Sequence, residues 1–235
     1  MTDAAPCLAL IPGLNNTHAV FDGVRRALPA LVRAPELDCP ALPSVEQIAS
    51  ALLAQLPRRF WLAGFSFGGY AALAMLEAAP ERIEGIALLC TTPFADSAAA
   101  APSREAALKA VAEGRYFELI EGQAARAFHP DSLGNAALMA RRRQMVHAYG
   151  PQRFAAHVRA TQARPDRSHL LDGSRPTLVL SASGDALYPP SFTAGYARHI
   201  PGAVQAVIEG AGHLAPMEKP AEVTAALLHW MGLAP

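Results

Sequence analysis

Short apolar runs ending in Gly or Pro alternate along the chain with longer segments whose apolar positions recur at helical spacing. The runs at residues 7–11, 31–37, 60–65, 83–90, 177–182 and 203–209 are expected to be strands. Four carry little polar interruption, as expected where both faces of a parallel sheet are covered. Residues 31–37, broken by Arg33 and Pro35, fit that pattern least. Helices are expected at 17–28, 45–55, 70–79, 192–199 and 221–231. Pro80 stops the third, and Pro220 stands where a first-turn proline is tolerated in the last. The alternation predicts an α/β fold, a mostly parallel sheet of about six strands flanked by helices.

Between Thr91 and Arg175 the strand pattern disappears. Helical segments at 104–113, 116–127, 136–148 and 154–162 are divided by Gly114, Pro130, Gly134 and Gly150-Pro151. The expected organisation is a core built from 1–94 and 173–235, with a helical insertion, 95–172, lying over the sheet. Charge changes this picture. Lys+Arg and Asp+Glu are equal at 20 each, which gives no electrostatic case for nucleic acid or a membrane surface as partner. Residues 103–175 nevertheless hold twelve basic and seven acidic residues. The run Arg141-Arg142-Arg143 suits an acidic carrier protein, coenzyme A or a carboxylated substrate, and equally a solvated helix face.

Composition narrows the class further. With 235 residues, 51% of them apolar, the chain can bury a substantial core, which excludes general disorder. Cys7, Cys39 and Cys90 are far apart and form no CxxC pair, so they read as reduced thiols, neither a disulfide frame nor a metal site. No apolar stretch approaches the roughly 20 residues of a membrane span, and the first residues lack a basic, signal-like lead. The expectation is a cytoplasmic protein.

The candidate chemistry begins at "WLAGFSFGGYAALA", residues 61–74. A strand running into Phe65, then Ser66, then a helix demands a sharp reversal, with small residues at 64 and 68 on either side. G-x-S-x-G in that context is a nucleophile elbow, which holds the serine hydroxyl exposed at the strand's carboxyl end. Its bland counterpart is a glycine-rich turn with a capping serine. Serine needs a base, and the base an orienting acid, in the chain order Ser, Asp or Glu, His. "EGAGHLAPMEKP" places His213 in a loop after the last expected strand, and "PTLVLSASGDALYPP" places Asp185 just beyond the one before. An oxyanion hole needs the N–H of the residue after the nucleophile, Phe67, and one from the loop after the first strand, where Leu14 follows Gly13. Asn15, Asn16 and His18 suit either a pocket wall or the cap of the helix starting near Thr17. Phe67, Phe94, Phe117, Phe128, Met139, Met145, Tyr149 and Met217 suit either an acyl pocket or ordinary core.

These segments together resemble the α/β-hydrolase superfamily. Most similar are its small, lidded carboxylesterase-like enzymes, which include pimeloyl-carrier methyl esterases, enol-lactonases and a menaquinone-pathway lyase. The resemblance rests on "LIPGLNNT", "WLAGFSFGGYAALAMLEAAPERIEGIALL", "PTLVLSASGDALYPP" and "IEGAGHLAPMEKPAEV", which cover most of the sheet-forming chain. It implies Ser66 as nucleophile, His213 as base, Asp185 as acid, Leu14 and Phe67 as oxyanion donors, and 95–172 as lid. It also implies a small or medium carboxylic ester as substrate, free or linked to a carrier or coenzyme A, with no cofactor or metal. Pro12-Gly13 stands where the family has His-Gly, Ser181 replaces the first glycine of Gly-x-x-Asp, and the family's first two strands have no room before Cys7. The same triad also serves lyases that abstract a proton, and the same fold serves catalytically silent binding proteins.

Overall fold

The computed structural model describes residues 5–233. Five strands form one sheet in chain order: β1 (Leu8–Ile11), β2 (Phe60–Phe65), β3 (Ile83–Leu89), β4 (Thr177–Ala182) and β5 (Val204–Ile208). Every neighbouring pair is parallel, so all five carboxyl ends lie along one edge. The register sets Ile11 opposite Gly64 and Phe65 opposite Leu89. The first loop is thereby brought alongside the end of β2.

Residues 31–37 do not form the sixth strand. The segment touches the sheet at a single parallel bridge, Cys7 to Arg33, where Arg33 N donates to Pro6 O and Leu8 N to Arg33 O. Pro35 has no N–H with which to extend the ladder two residues on, so pairing stops there.

The strands alternate their side chains between two cores. On one face Ala9, Ile11, Leu62, Ile86, Leu88 and Val179 pack under helices α2 (Val45–Leu53), α3 (Phe67–Ala78) and α8 (Pro190–Ala197). On the other, Leu8, Leu10, Phe65, Leu89, Leu178 and Leu180 pack under α1 (Asp22–Ala27) and α10 (Pro220–Trp230). Helix α2 begins with Ser44 accepting from Gln47 N, and its buried Val45, Ile48, Ala49 and Leu52 follow the spacing of one helical stripe. A short helix, α9 (Ala215–Glu218), precedes α10. The first turns of the helix expected at 17–28 are a 3-10 helix, His18–Phe21, capped by Thr17.

Between β3 and β4 the described backbone is helical: α4 (Ala101–Ala112), α5 (Tyr116–Glu121), α6 (Ala124–Ala127) and α7 (Ala136–Ala163). The expected helix at 116–127 is split in two, and those at 136–148 and 154–162 are joined across a kink. The kink is Gly150, at φ 77° and ψ 163°, followed by Pro151. Only glycine adopts that backbone at no steric cost. The helices share a small apolar cluster of Tyr116, Ile120, Val146, Tyr149, Phe154 and Val158.

Candidate active site

Ser66 sits between β2 and α3 at φ 51° and ψ −119°, a backbone region that L-residues rarely occupy. It is held there from several sides. Ser66 N donates to Leu89 O at 2.9 Å, and Ser66 O accepts from Gly69 N at 2.8 Å and from Thr91 Oγ1 at 2.7 Å. The flanking glycines are steric necessities: a Cβ at Gly64 would lie 2.5 Å from Gly68 O, and one at Gly68 would run into the carbonyls of Ile11 and Pro12.

The loops after β4 and β5 bring Asp185 and His213 to this turn. His213 Nε2 lies 2.9 Å from Ser66 Oγ, and His213 Nδ1 lies 2.9 Å from Asp185 Oδ2. A carboxylate only accepts, so Nδ1 carries the proton and Nε2 presents its lone pair to the serine hydroxyl. Asp185 Oδ1 accepts from Leu187 N at 2.7 Å and Tyr188 N at 3.0 Å. Burial acts to raise its pKa, but the hydrogen bond and charge of His213, with those two amides, outweigh it and hold the carboxyl below its ordinary value. Asp185 is 3% exposed and His213 7%, so the pair works away from bulk water. Buried Cys90, at φ 47° just after β3, places its Sγ within 4.8 Å of both partners' ligating atoms.

The histidine loop is fastened to the helices between β3 and β4. Leu214 N donates to Ala127 O at 3.0 Å. Glu218 accepts from Gly212 N and from His129 N, each at 2.9 Å. Sequence reading did not single out Glu218, although a carboxylate five residues after the histidine was in view.

Leu14 and Phe67 flank the serine. Phe67 opens α3, so its N–H has no acceptor within the helix. Gly13 lets the first loop run close: a Cβ there would stand 3.1 Å from Ser66 Cβ. Asn15, at φ 61°, is anchored through Oδ1, which accepts from the Tyr116 hydroxyl at 3.0 Å. Below Phe67 lies His157, stacked on its ring with centroids 4.5 Å apart and planes 16° apart. His157 Nε2 donates to Pro40 O at 2.7 Å, while Nδ1 accepts from the Tyr149 hydroxyl. Burial pushes His157 down to about 4, against the Pro40 bond that favours its charged form.

A cavity of 390 Å³ opens over Ser66, with Leu14, Phe67 and His213 in its wall. Asn15 and Asn16 also line it, whereas His18 does not: its backbone N–H donates to Asp38 at 2.6 Å, and its ring lies 3.3 Å from the same carboxylate. Of the aromatic and methionine candidates only Phe67 borders this cavity. Phe94, Phe128, Met139, Met145 and Met217 pack in or against the two cores, Tyr149 belongs to the insertion's cluster, and Phe117 is exposed. The apolar wall comes from Val146, Phe154 and Val158 instead. The arginine run is not a uniform solvated face. Arg141 reaches Asp22 at 2.6 Å, Arg142 is buried against Glu121 at 3.0 Å and lines the cavity, and Arg143 stands 3.7 Å from Glu121. Among the described residues no helix is long and apolar enough to cross a membrane.

A parallel sheet with a strained serine at the turn from β2 into α3 is the architecture of the hydrolase fold. The chain belongs to the alpha/beta hydrolase family, whose model matches residues 9–227. It is 28% identical to the pimeloyl-[acyl-carrier protein] methyl ester esterase of Neisseria meningitidis over 97% of this chain and 93% of that protein. The enzyme of the same name from Nitrosomonas europaea is 31% identical over 39% of this chain and 40% of that one. Among solved structures, a thermophilic esterase from Thermogutta terrifontis with malate bound superposes with a TM-score of 0.88 at 30% identity, covering 97% of this chain and 89% of that one.

Proposed function

We propose that this protein is a serine hydrolase that cleaves a small or medium carboxylic ester through an acyl-enzyme. The observation that carries the reading is the continuous relay Ser66 Oγ, His213 Nε2, His213 Nδ1, Asp185 Oδ2, with 2.9 Å at each hydrogen bond. Ester hydrolysis is also the activity in the names of its methyl-esterase relatives.

In the proposed cycle His213 Nε2 takes the Ser66 proton as Oγ bonds to the ester carbonyl carbon. The oxyanion so formed is bound by the N–H groups of Leu14 and Phe67. Asp185 stabilises the imidazolium without being protonated itself. As the tetrahedral centre collapses, the alkoxide leaves with the proton from Nε2. A water molecule then gives its proton to His213 and attacks the acyl-enzyme, releasing the acid and restoring the Ser66 hydroxyl. Residues 95–172 act as a lid that forms one wall of the cavity and limits water at the reacting carbon.

The test is turnover of a p-nitrophenyl ester series from acetate to decanoate by wild type and Ser66→Ala, with labelling by a fluorophosphonate probe. Turnover and labelling confined to the wild type support the reading. Equal turnover in both proteins, or folded wild type that neither labels nor turns over, overturns it.

A further inference from the structure

The cavity over Ser66 is lined by charge of one sign. Arg104, Arg126 and Arg142 contribute to its wall, and among the described residues no Asp or Glu does. Their partners leave them under-compensated. Arg104 holds Asp96 through Nε and Nη2 at 3.1 and 3.2 Å, but Asp96 also receives Arg164 Nη1 at 2.9 Å. Two guanidinium groups thus share one carboxylate, and the Arg164 and Asp96 side chains are 5% and 9% exposed. Arg142 and Arg143 share Glu121 in the same ratio. Arg126 is exposed and forms no salt bridge among the described residues. Uncompensated positive charge along a partly dry cleft is a strong field for an anion.

One corner of that wall is also built to donate hydrogen bonds. The Tyr70 and Tyr188 hydroxyls meet at 2.6 Å and both line the cavity beside Arg104. Only one of their two protons can lie between the oxygens, so the other points away and is free for an acceptor. Arg104 spends one edge of its fork on Asp96 and keeps further N–H groups. Burial raises the pKa of the Tyr188 hydroxyl well beyond its ordinary range, which keeps its proton in place.

Resting on the ester-hydrolase reading above, we propose that the substrate is a carboxylate-bearing ester, a monoester of a small dicarboxylic acid. Its free carboxylate is held by Arg104 and the free tyrosine proton while its ester carbonyl lies at Ser66. A carboxylate is favoured over a phosphate because the Arg104, Arg164 and Asp96 cluster carries one net positive charge, enough for a monoanion. At 390 Å³ the cavity lies near the small end of ligand pockets, which suits a short acid and leaves the alcohol part at the mouth.

The experiment compares kcat/KM on monomethyl esters of straight-chain dicarboxylic acids with that on the matching ω-amide methyl esters, neutral molecules of the same shape. The proteins are wild type, Ser66→Ala, Arg104→Gln and Arg104→Lys, each checked by circular dichroism. Wild type is expected to prefer the carboxylate series by about tenfold or more, the worth of one charge-assisted contact. The preference collapses in Arg104→Gln and partly returns in Arg104→Lys. Equal rates on both series overturn the proposal while leaving the hydrolase reading standing, and so does a faster rate on a phosphate-ended ester. A preference that survives in Arg104→Gln overturns the assignment to that corner. No hydrolysis of any ester, with Ser66→Ala indistinguishable from wild type, removes the hydrolase reading and the proposal with it.

Discussion

His157 makes the fold sensitive to acid at a point that touches the proposed oxyanion hole. Its ring is fully buried, donates to Pro40 O and accepts from Tyr149. Its pKa falls from an ordinary value of 6.5 to about 4 because burial penalises the imidazolium. A histidine depressed in the native state takes up its proton more readily when unfolded. Its stabilising effect is therefore complete above 6.5 and is lost as pH falls toward 4. At about pH 5 the unfolded histidine is almost fully charged and the folded one mostly neutral, a loss of about 2 kcal/mol relative to neutral pH. The assay is urea unfolding of wild type and His157→Gln at about pH 7.5 and about pH 5. The glutamine removes the titration, so its stability should fall less over that interval, even though it starts from a lower value. Carboxylates titrate alike in both proteins and cancel in the difference. Identical slopes in the two proteins would refute the argument from burial. Stacking on Phe67 adds a second readout: the variant should lose ester turnover near neutral pH through kcat.

Three further outcomes follow from the geometry. Glu218→Ala strands the N–H groups of Gly212 and His129 and should cost about 2–3 kcal/mol. Glu218→Gln, whose amide still offers one acceptor, should cost roughly half as much; thermal melts in which the two variants match would contradict this. Gly68→Ala drives a Cβ against two backbone carbonyls, and chemical denaturation should show a loss of about 3 kcal/mol or more. Asp185→Asn should lower kcat on a p-nitrophenyl ester by about 10³–10⁴ with little change in KM, and a loss confined to KM would argue against its orienting role.

Much of this arrangement was legible in the sequence because a parallel sheet is an economical code. Near-continuous apolar runs in β2, β3 and β4 mark buried strands, and the loops after parallel strands must share an edge. Ser66, Asp185 and His213 could therefore be placed near one another before any distance was known. Residues 31–37 failed as a strand because apolar content suggests one while Pro35 removes the ladder bond that would make it. The cavity wall was harder to read. Tyr70, Phe154 and Val158 are spaced like any helical core, and which face of a helix covers the serine is decided by tertiary packing. The three fates of Arg141, Arg142 and Arg143 depend likewise on Asp22 and Glu121, distant partners that no local pattern reveals.

The kink at Gly150 joins two halves of α7, and both reach the cavity over Ser66. The first half lines it through Arg142 and Val146 and the second through Phe154 and Val158, while only the second carries His157 beneath Phe67. The cavity wall and the support beneath Phe67 thus share one continuous piece of backbone. For protein engineering this means the helical segment between β3 and β4 is not an interchangeable cassette. A segment transplanted from a relative to change selectivity would arrive without the ring that stacks on Phe67 or the donor to Pro40. Such chimeras should lose turnover for reasons unrelated to substrate fit unless His157 is kept in place while the cavity-facing residues around it are exchanged.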